Sequence, residues 1–228
     1  INQLEDEIQA REDFVAAFAH ELKTPLTSII GYADALRSRR LDEEKQFMSA
    51  NYIYTEGKRL EAMSFRLLDI MVTRRGEVEF TMVSAESLFL YMYVINKSMK
   101  IYFNYDDGMV RAEANLIKSV LMNLLDNAFK ASEADGLIEV YGHLMKDGYC
   151  FEVKDHGVGI PKEELHKITK AFYMVDKSRS RSRNGAGLGL ALCAEILELH
   201  KSRLNIRSEL GKGTTMSFTL PLWKEDQL

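Results

Sequence analysis

Two long helical stripes in the first seventy residues constrain this chain more than any other feature. Leu4, Ile8, Phe14, Phe18, Leu22, Ile29 and Leu36 recur every three to four positions or multiples of them, on one side of a helix from Ile1 to about Arg40. At 1.5 Å per residue such a helix runs about 60 Å, more than one small domain can bury. The polar run Arg37-Ser-Arg-Arg-Leu-Asp-Glu-Glu breaks the pattern, and Asp42 offers an N-cap for a second helix. That helix is predicted over Glu43 to Val72, with Phe47, Ile53, Leu60, Met63, Leu67 and Ile70 on its apolar side. Two helices joined this closely form an antiparallel hairpin. One hairpin cannot cover both stripes, whereas two can pair into a four-helix bundle, so a homodimer is expected.

His20 lies off the stripe. Its helical neighbours Ala16, Ala17, Lys23, Thr24 and Thr27 are small or polar, which leaves the imidazole open to solvent. Glu21 follows directly, and Pro25 removes one helical hydrogen bond and is expected to bend the helix just beyond. Taken alone, His20 also reads as a solvated surface histidine. A zinc-protease helix is excluded, because Thr24 stands where that motif needs its second histidine.

At 228 residues the chain allows one large or two modest domains, and its character changes at Thr73-Arg-Arg-Gly76. The expected division is 1–73 and 74–228. With 46% hydrophobic residues, 28% charged and three prolines, there is little room for disorder. The net charge of -4 gives no electrostatic argument for nucleic acid. Cys150 and Cys193 sit in apolar runs and read as buried thiols, which fits a cytoplasmic setting. No apolar run is long enough to cross a bilayer. The chain opens on Ile1 within a helical pattern, so it reads as part of a longer protein, with any membrane association supplied by a missing N-terminal region.

Beyond Gly76, short strands are predicted near Glu77–Met82, Ile101–Tyr105 and Met109–Ala112, with a helix over Ser84–Ser98 between the first two. A strongly apolar helix covers Glu113–Ser132. Leu137–His143 and Tyr149–Lys154 form a hairpin around Lys146-Asp147-Gly148. A helix is expected from Pro161, a mobile basic loop over Ala171–Ala186, a helix over Gly187–His200, and strands at Arg203–Glu209 and Thr214–Leu220. Strands and helices come in groups rather than in strict alternation. The fold class is therefore α+β, with helices on one face of a mixed sheet.

Three clusters carry chemistry. Asn123, Asn127 and Lys130 are spaced four and three apart on one helix face, two carboxamides and an ammonium suited to a phosphate chain and a hard cation. Asp155-His-Gly157-Val-Gly159-Ile-Pro161 ends a strand with an acid and follows it with glycines that let a ligand approach the backbone. Gly185-Ala-Gly187-Leu-Gly189-Leu190 exposes amides at the start of a helix, a phosphate site built from backbone. A Rossmann reading is poor, since a basic loop rather than a strand precedes it, and no Walker lysine signature is present.

In this order, with His20-Glu21-Leu-Lys-Thr24-Pro25 ahead of them, the clusters resemble the sensor histidine kinases of two-component systems over nearly the whole chain. The resemblance implies a dimerisation and phosphoacceptor domain followed by an ATP-binding domain of the gyrase, chaperone and mismatch-repair ATPase family, built as an α/β sandwich. It implies that ATP phosphorylates His20, with Glu21 assisting, and that the phosphoryl group passes to an aspartate on a response-regulator receiver domain. Thr24 would serve removal of phosphate from the regulator, its hydroxyl orienting a water near the aspartyl-phosphate. Asn123 and Asn127 would hold Mg2+ and phosphates, Lys130 would reach the phosphate chain, and Asp155 would accept the adenine amine between Gly157 and Gly159. Phe172 would anchor a lid, Lys177 or Arg181 would meet the phosphates, and Gly185, Gly187, Leu188 and Gly189 would form the phosphate-facing turn. The sequence departs from the family at Ala131, Met174 and Lys201-Ser202, which stand where an aromatic, an arginine and Gly-Gly are common. An ATP-driven clamp lacking a phosphoacceptor, and a dimeric scaffold with a dead nucleotide site, are the competing readings.

Overall fold

The structure, a computed structural model, describes residues 2–75, 78–95, 100–133, 136–175 and 187–224. Helices α1 (Asn2–Ser38) and α2 (Glu43–Arg75) form the hairpin. Asp42 caps α2 as its position suggests. Its Oδ1 accepts from the Lys45 backbone at 2.8 Å and its Oδ2 from Lys45 Nζ at 2.7 Å, and these bonds hold the carboxyl below its usual range. Stacked rings of Tyr32 and Tyr52, with centroids 4.6 Å apart, tie the two helices together near the turn. α1 runs through the buried Pro25 without interruption.

The hairpin covers only part of its apolar surface. Leu26, Ile30, Met48 and Tyr54 are exposed, and Phe47, expected on a buried side, is 75% exposed. The physical reason is simple: a single hairpin has no second layer over that face. Phe18, Leu22 and Met63 find cover elsewhere, against the core of the following domain, and α2 packs along its last helix. The side chains of Leu4, Ile8, Phe14, Leu67 and Ile70 lie outside the described ones.

The rest of the chain runs β1 (Thr81–Ser84), α3 (Ala85–Ile95), β2 (Ile101–Tyr105), β3 (Met109–Ala112), α4 (Ala114–Ala131), β4 (Ile138–Met145), β5 (Gly148–Asp155), α5 (Gly189–Leu199), β6 (Asn205–Glu209) and β7 (Gly213–Leu220). β1 and β3 pair with each other. The main sheet has five strands in the order β2-β4-β5-β7-β6, antiparallel except for the parallel pair β2-β4. Alternation along β5 turns Tyr149, Phe151 and Val153 inward, where they meet Val140 of β4 and Phe218 of β7. Against this face α3 lays Leu88, Phe89 and Met92, α4 lays Ile117, Leu121, Leu124 and Leu125, and α5 lays Leu192, Ile196 and Leu197. Phe151 is the hub, its ring 5.6 Å from Phe89, 4.9 Å from Tyr149 and 5.1 Å from Phe218.

Two expectations need correction. The first strand falls at Thr81–Ser84 rather than Glu77–Met82, where it can pair with β3. The helix expected from Pro161 is a succession of turns. Leu165 N–H bonds back to Lys162, Lys167 to Glu164 and Lys170 to Lys167, each three residues away, and Ile168 alone in that run is fully buried. With one deep anchor, nothing favours a regular apolar face.

His200, 3% exposed, joins the end of α5 to the start of α4. Its Nδ1–H donates to Ile196 O on α5 (2.7 Å), and its Nε2 accepts from the Glu113 backbone just before α4 (3.1 Å). Burial keeps the ring neutral, with its pKa below the ordinary 6.5, although the Ile196 bond and the nearby Glu113 carboxylate oppose the shift. The unfolded chain takes up this proton at a higher pH than the folded one. The stability it contributes is therefore complete above about pH 6.5 and lost as pH falls toward the folded pKa. The urea midpoint of the folded chain is expected to drop between about pH 7.5 and about pH 5.5. In His200→Gln the midpoint should be lower throughout and the pH slope shallower. An unchanged slope would mean that His200 does not carry the effect.

Candidate functional site

The inward alternation of β5 ends on Asp155, so the strand delivers a carboxylate onto the helix-facing side of the sheet where the apolar core stops. Asp155 is 5% exposed. Its Oδ1 accepts from the backbone N–H of Gly157 (2.9 Å) and of Thr214 (3.2 Å), while Oδ2 takes no hydrogen bond among the described residues. Burial pushes the carboxyl above its usual range, and the two amide bonds work against that shift. An acceptor fixed on one side and open on the other suits a ligand N–H donor.

Backbone closes tightly around this acid, and only glycine fits. A Cβ on Gly157 would stand 2.2 Å from Ala131 O, and the Val158 N–H donates to that same oxygen at 3.2 Å. Gly159, at φ +68°, leaves no room for a Cβ beside Glu209 O, and Gly213, at φ +106°, leaves none beside Asp155 O. Gly211 N–H donates to Val158 O (2.8 Å), and Ile160 N–H donates to Ser208 Oγ (2.8 Å). The loop after β5, the end of α4 and the β6–β7 turn thus form one rim. Ala131, one of the positions at which the sequence departs from the pattern it resembles, contributes its carbonyl.

On the other side of α4, the start of α5 presents amides. Leu188, fully buried, precedes the helix without a side-chain cap hydrogen bond, so among the described residues the first amides are left uncapped. Gly187 has φ +66°, and a Cβ there would lie 2.8 Å from the Phe172 carbonyl carbon. Gly187 O accepts from the Phe172 N–H at 2.9 Å, and Phe172 is itself held at φ +63°. A Cβ on Gly189 would meet Asn123 Oδ1 at 2.8 Å. Asn123 donates its Nδ2 to Ser119 O (2.9 Å), which orients the side chain with its oxygen toward α5. Asn127, half-buried, lies one turn further along the same face. An oxygen ligand beside uncapped helix amides fits a phosphate chain with a hard cation. Lys130 is not poised there: its Nζ pairs with Asp126 Oδ2 at 2.7 Å. Lys177, Arg181 and Gly185 lie outside the described residues.

His20 is exposed on α1, as its neighbours suggest. The carboxylate of Glu21 faces α2, with Oε2 at 3.7 Å from Arg59 Nη2, and among the described residues no hydrogen bond joins it to His20. Thr24 is exposed, and among the described residues its hydroxyl makes no intrahelical bond of the kind Thr27 makes to Lys23 O (2.8 Å). The Phe18 ring, on the same helix two residues before His20, lies 6.2 Å from the Phe172 ring. The helix that carries the histidine therefore touches the segment that carries the glycine turn. Thr214 and Ser208 carry no motif in the sequence, where Gly211-Lys212-Gly213 reads as a turn only. The period-2 pairing of β5 with β7, which sets Lys154 against Thr215, places Thr214 next to Asp155.

Two substitutions test this geometry. Asp155→Asn keeps an acceptor for the two amides and should fold normally, yet equilibrium titration should show nucleotide affinity lower by about 100-fold or more, the loss of one buried charged acceptor. Gly187→Ala forces a Cβ into the Phe172 backbone at positive φ and should weaken nucleotide binding at least about tenfold, with a stability loss near 1 kcal/mol. Unchanged affinity in either variant would place the site elsewhere.

Residues 10–71 match the His Kinase A phospho-acceptor domain family, and residues 112–224 match the histidine kinase-, DNA gyrase B- and HSP90-like ATPase family. The chain is 32% identical over 233 residues to the sensor histidine kinase WalK of Bacillus subtilis (strain 168), covering 96% of itself and 38% of that protein. It is 30% identical over 244 residues to the sensor histidine kinase YclK of the same organism, covering 100% of itself and 51% of that protein. The chain thus spans about half or less of these relatives. Among solved structures, histidine kinase ThkA in complex with the response regulator protein TrrA shares the fold with a TM-score of 0.75, at 24% identity, over 98% of this chain and 67% of that one. The catalytic domain of ThkA alone is 28% identical with a TM-score of 0.55, over 64% of this chain and 97% of that domain. With an exposed histidine on the hairpin, a glycine-bounded buried acid in the α/β half, and both domain families matched in that order, the chain belongs to the sensor histidine kinases of two-component systems.

Proposed function

We propose that this chain transfers a phosphoryl group from ATP to a ring nitrogen of His20 and passes it on to an aspartate of a response-regulator receiver domain. The observation that carries the reading is the Phe18–Phe172 contact, which joins the helix of an exposed histidine to the rim of an anion-binding turn. In this reading residues 1–73 dimerise and accept phosphate, and residues 74–228 bind ATP. Asp155 receives the adenine amine, and Gly157 and Gly159 admit the base to the backbone. Gly187, Leu188 and Gly189 offer amides to the phosphates, and Asn123 and Asn127 supply oxygens for Mg2+. Lys130 serves once it leaves Asp126, and Phe172 anchors the lid, with Lys177, Arg181 and Gly185 as its further members. Mg2+, when bound, neutralises charge on the transferring group. Glu21 accepts the proton that His20 gives up.

The exposed apolar face of the hairpin, with Phe47, Met48 and Ile30, supports a homodimer through a four-helix bundle. Beyond His20 along α1, an open groove of about 340 Å³ is lined by Ser28, Gly31, Tyr32, Asp34, Ala35 and Arg39. It offers a strip of small residues for docking a receiver domain, and ThkA, whose fold is shared, is seen in complex with such a regulator. No described helix is long and apolar enough to cross a membrane. The likeness to sensor histidine kinases of which the chain spans about half or less supports the reading that it acts as the cytoplasmic catalytic portion of a sensor.

His20→Ala is expected to keep the dimer and ATP binding while losing all label from γ-labelled ATP, and the wild-type label should be acid-labile and base-stable. Persistent label in the variant would overturn the assignment. In this reading the exposed hydroxyl of Thr24, which takes no intrahelical bond among the described residues, orients a water toward a docked aspartyl-phosphate. Thr24→Ala should keep autophosphorylation within a few-fold and slow regulator dephosphorylation about tenfold, the equivalent of about 1.4 kcal/mol. Equal loss of both activities would make Thr24 structural.

A further inference from the structure

Arg59 projects from α2 into the space between the hairpin helices, with 8% of its side chain exposed. Its Nη2 stands 3.7 Å from Glu21 Oε2 across the hairpin, and its Nη1 stands 3.7 Å from Glu56 Oε2 one turn back on α2. Both separations exceed hydrogen-bond length. Arg59 Nε and Glu56 Oε2 are also shut off from solvent and have no hydrogen-bond partner among the described residues. A guanidinium so enclosed ordinarily closes on one carboxylate through two parallel bonds. Here two carboxylates share one cation and neither is fully engaged. Leaving buried charges half-satisfied costs stability, and such an arrangement is a sign of a functional demand at the site. The demand is close by, since Glu21 is the residue after His20 and its Oε1 takes no hydrogen bond among the described residues.

We propose that Arg59 is a positioning residue for phosphoryl transfer, holding the Glu21 carboxylate at the edge of α1 through one oxygen and leaving the other for the imidazole proton. This rests on the reading of His20 as acceptor. As a ring nitrogen of His20 bonds to the γ-phosphorus, the bond from that phosphorus to its bridging oxygen breaks and the electron pair leaves with ADP. The proton on the other ring nitrogen passes to Glu21. Glu56 keeps the pairing loose: by drawing on the same guanidinium, it prevents Arg59 from closing on Glu21 and occupying both oxygens.

The test uses the whole chain and measures autophosphorylation against ATP concentration. Arg59→Gln frees Glu21 from α2 and should lower kcat at least about tenfold, with KM for ATP within about twofold, because the nucleotide site is untouched. Arg59→Lys keeps the charge and should recover most of kcat. In a Glu21→Gln background, Arg59→Gln should add no further loss, since its effect runs through Glu21. Should Arg59→Gln fail to give a folded dimer, Glu56→Gln reads the same geometry from the other side. With its competitor gone, Arg59 closes on Glu21, and kcat should fall several-fold at constant KM. Wild-type rates in Arg59→Gln or in Glu56→Gln, losses that add to that of Glu21→Gln, or no recovery in Arg59→Lys would each overturn the proposal. Absence of label on His20 in the wild-type chain would instead overturn the reading on which it rests.

Discussion

A carboxylate at the end of a buried strand organises the ATP-binding half. Asp155 continues the inward alternation that carries Tyr149, Phe151 and Val153 into the core, so it arrives at the helix-facing side in apolar surroundings. Two backbone amides, from Gly157 and Thr214, hold one of its oxygens, which requires the next loop and the β6–β7 turn to come within hydrogen-bond range. That approach is possible only without side chains, and glycines stand at 157, 159 and 213 where any Cβ would collide with backbone. Gly157 and Gly159 of the motif that follows β5 are, physically, clearances in the rim around this acid, whereas Gly187 and Gly189 clear Phe172 and Asn123.

The second constraint is shared apolar surface between the halves. Met63, 1% exposed, belongs to the same buried cluster as the α/β core, and Phe18 and Leu22 rest on it. Helices of this length need cover along more than one side, and the hairpin divides its need. One part goes to the neighbouring domain, and one part, around Phe47 and Met48, stays exposed. His20 lies on the small and polar face of α1 and stays exposed. The same packing brings Phe18 to Phe172, and through Phe172 to Gly187.

Legibility in the sequence followed the strength of the local signal. The hairpin, its Asp42 cap, β2 and β3 are where periodicity and turn chemistry put them, because each carries a strong short-range pattern. The run after Pro161 misled, since proline is equally at home in a helix start and in a chain of tight turns, and only tertiary burial of Ile168 decides. Motif glycines and asparagines were visible as residue types. Their partners were not: Ser119 for Asn123, Asp126 for Lys130, Thr214 for Asp155 and Arg59 for Glu21 are set by helix facing and strand register rather than by sequence neighbourhood. Arg59 in particular reads in the sequence as one more charge on a polar helix, and only the crossing of α1 over α2 makes it a buried one.

The proposed acceptor of the phosphoryl group is one imidazole among five, set apart not by exposure, which His143, His156 and His166 share, but by its place on α1, the helix whose Phe18 ring meets Phe172. This central claim is tested most directly by mapping the phosphoryl group. The whole chain would be incubated with ATP and Mg2+, kept alkaline, and fragmented by electron transfer in a mass spectrometer. The account predicts a single phosphoryl group on His20. A group on a serine, threonine or tyrosine, or on His143, His156, His166 or His200, would contradict it.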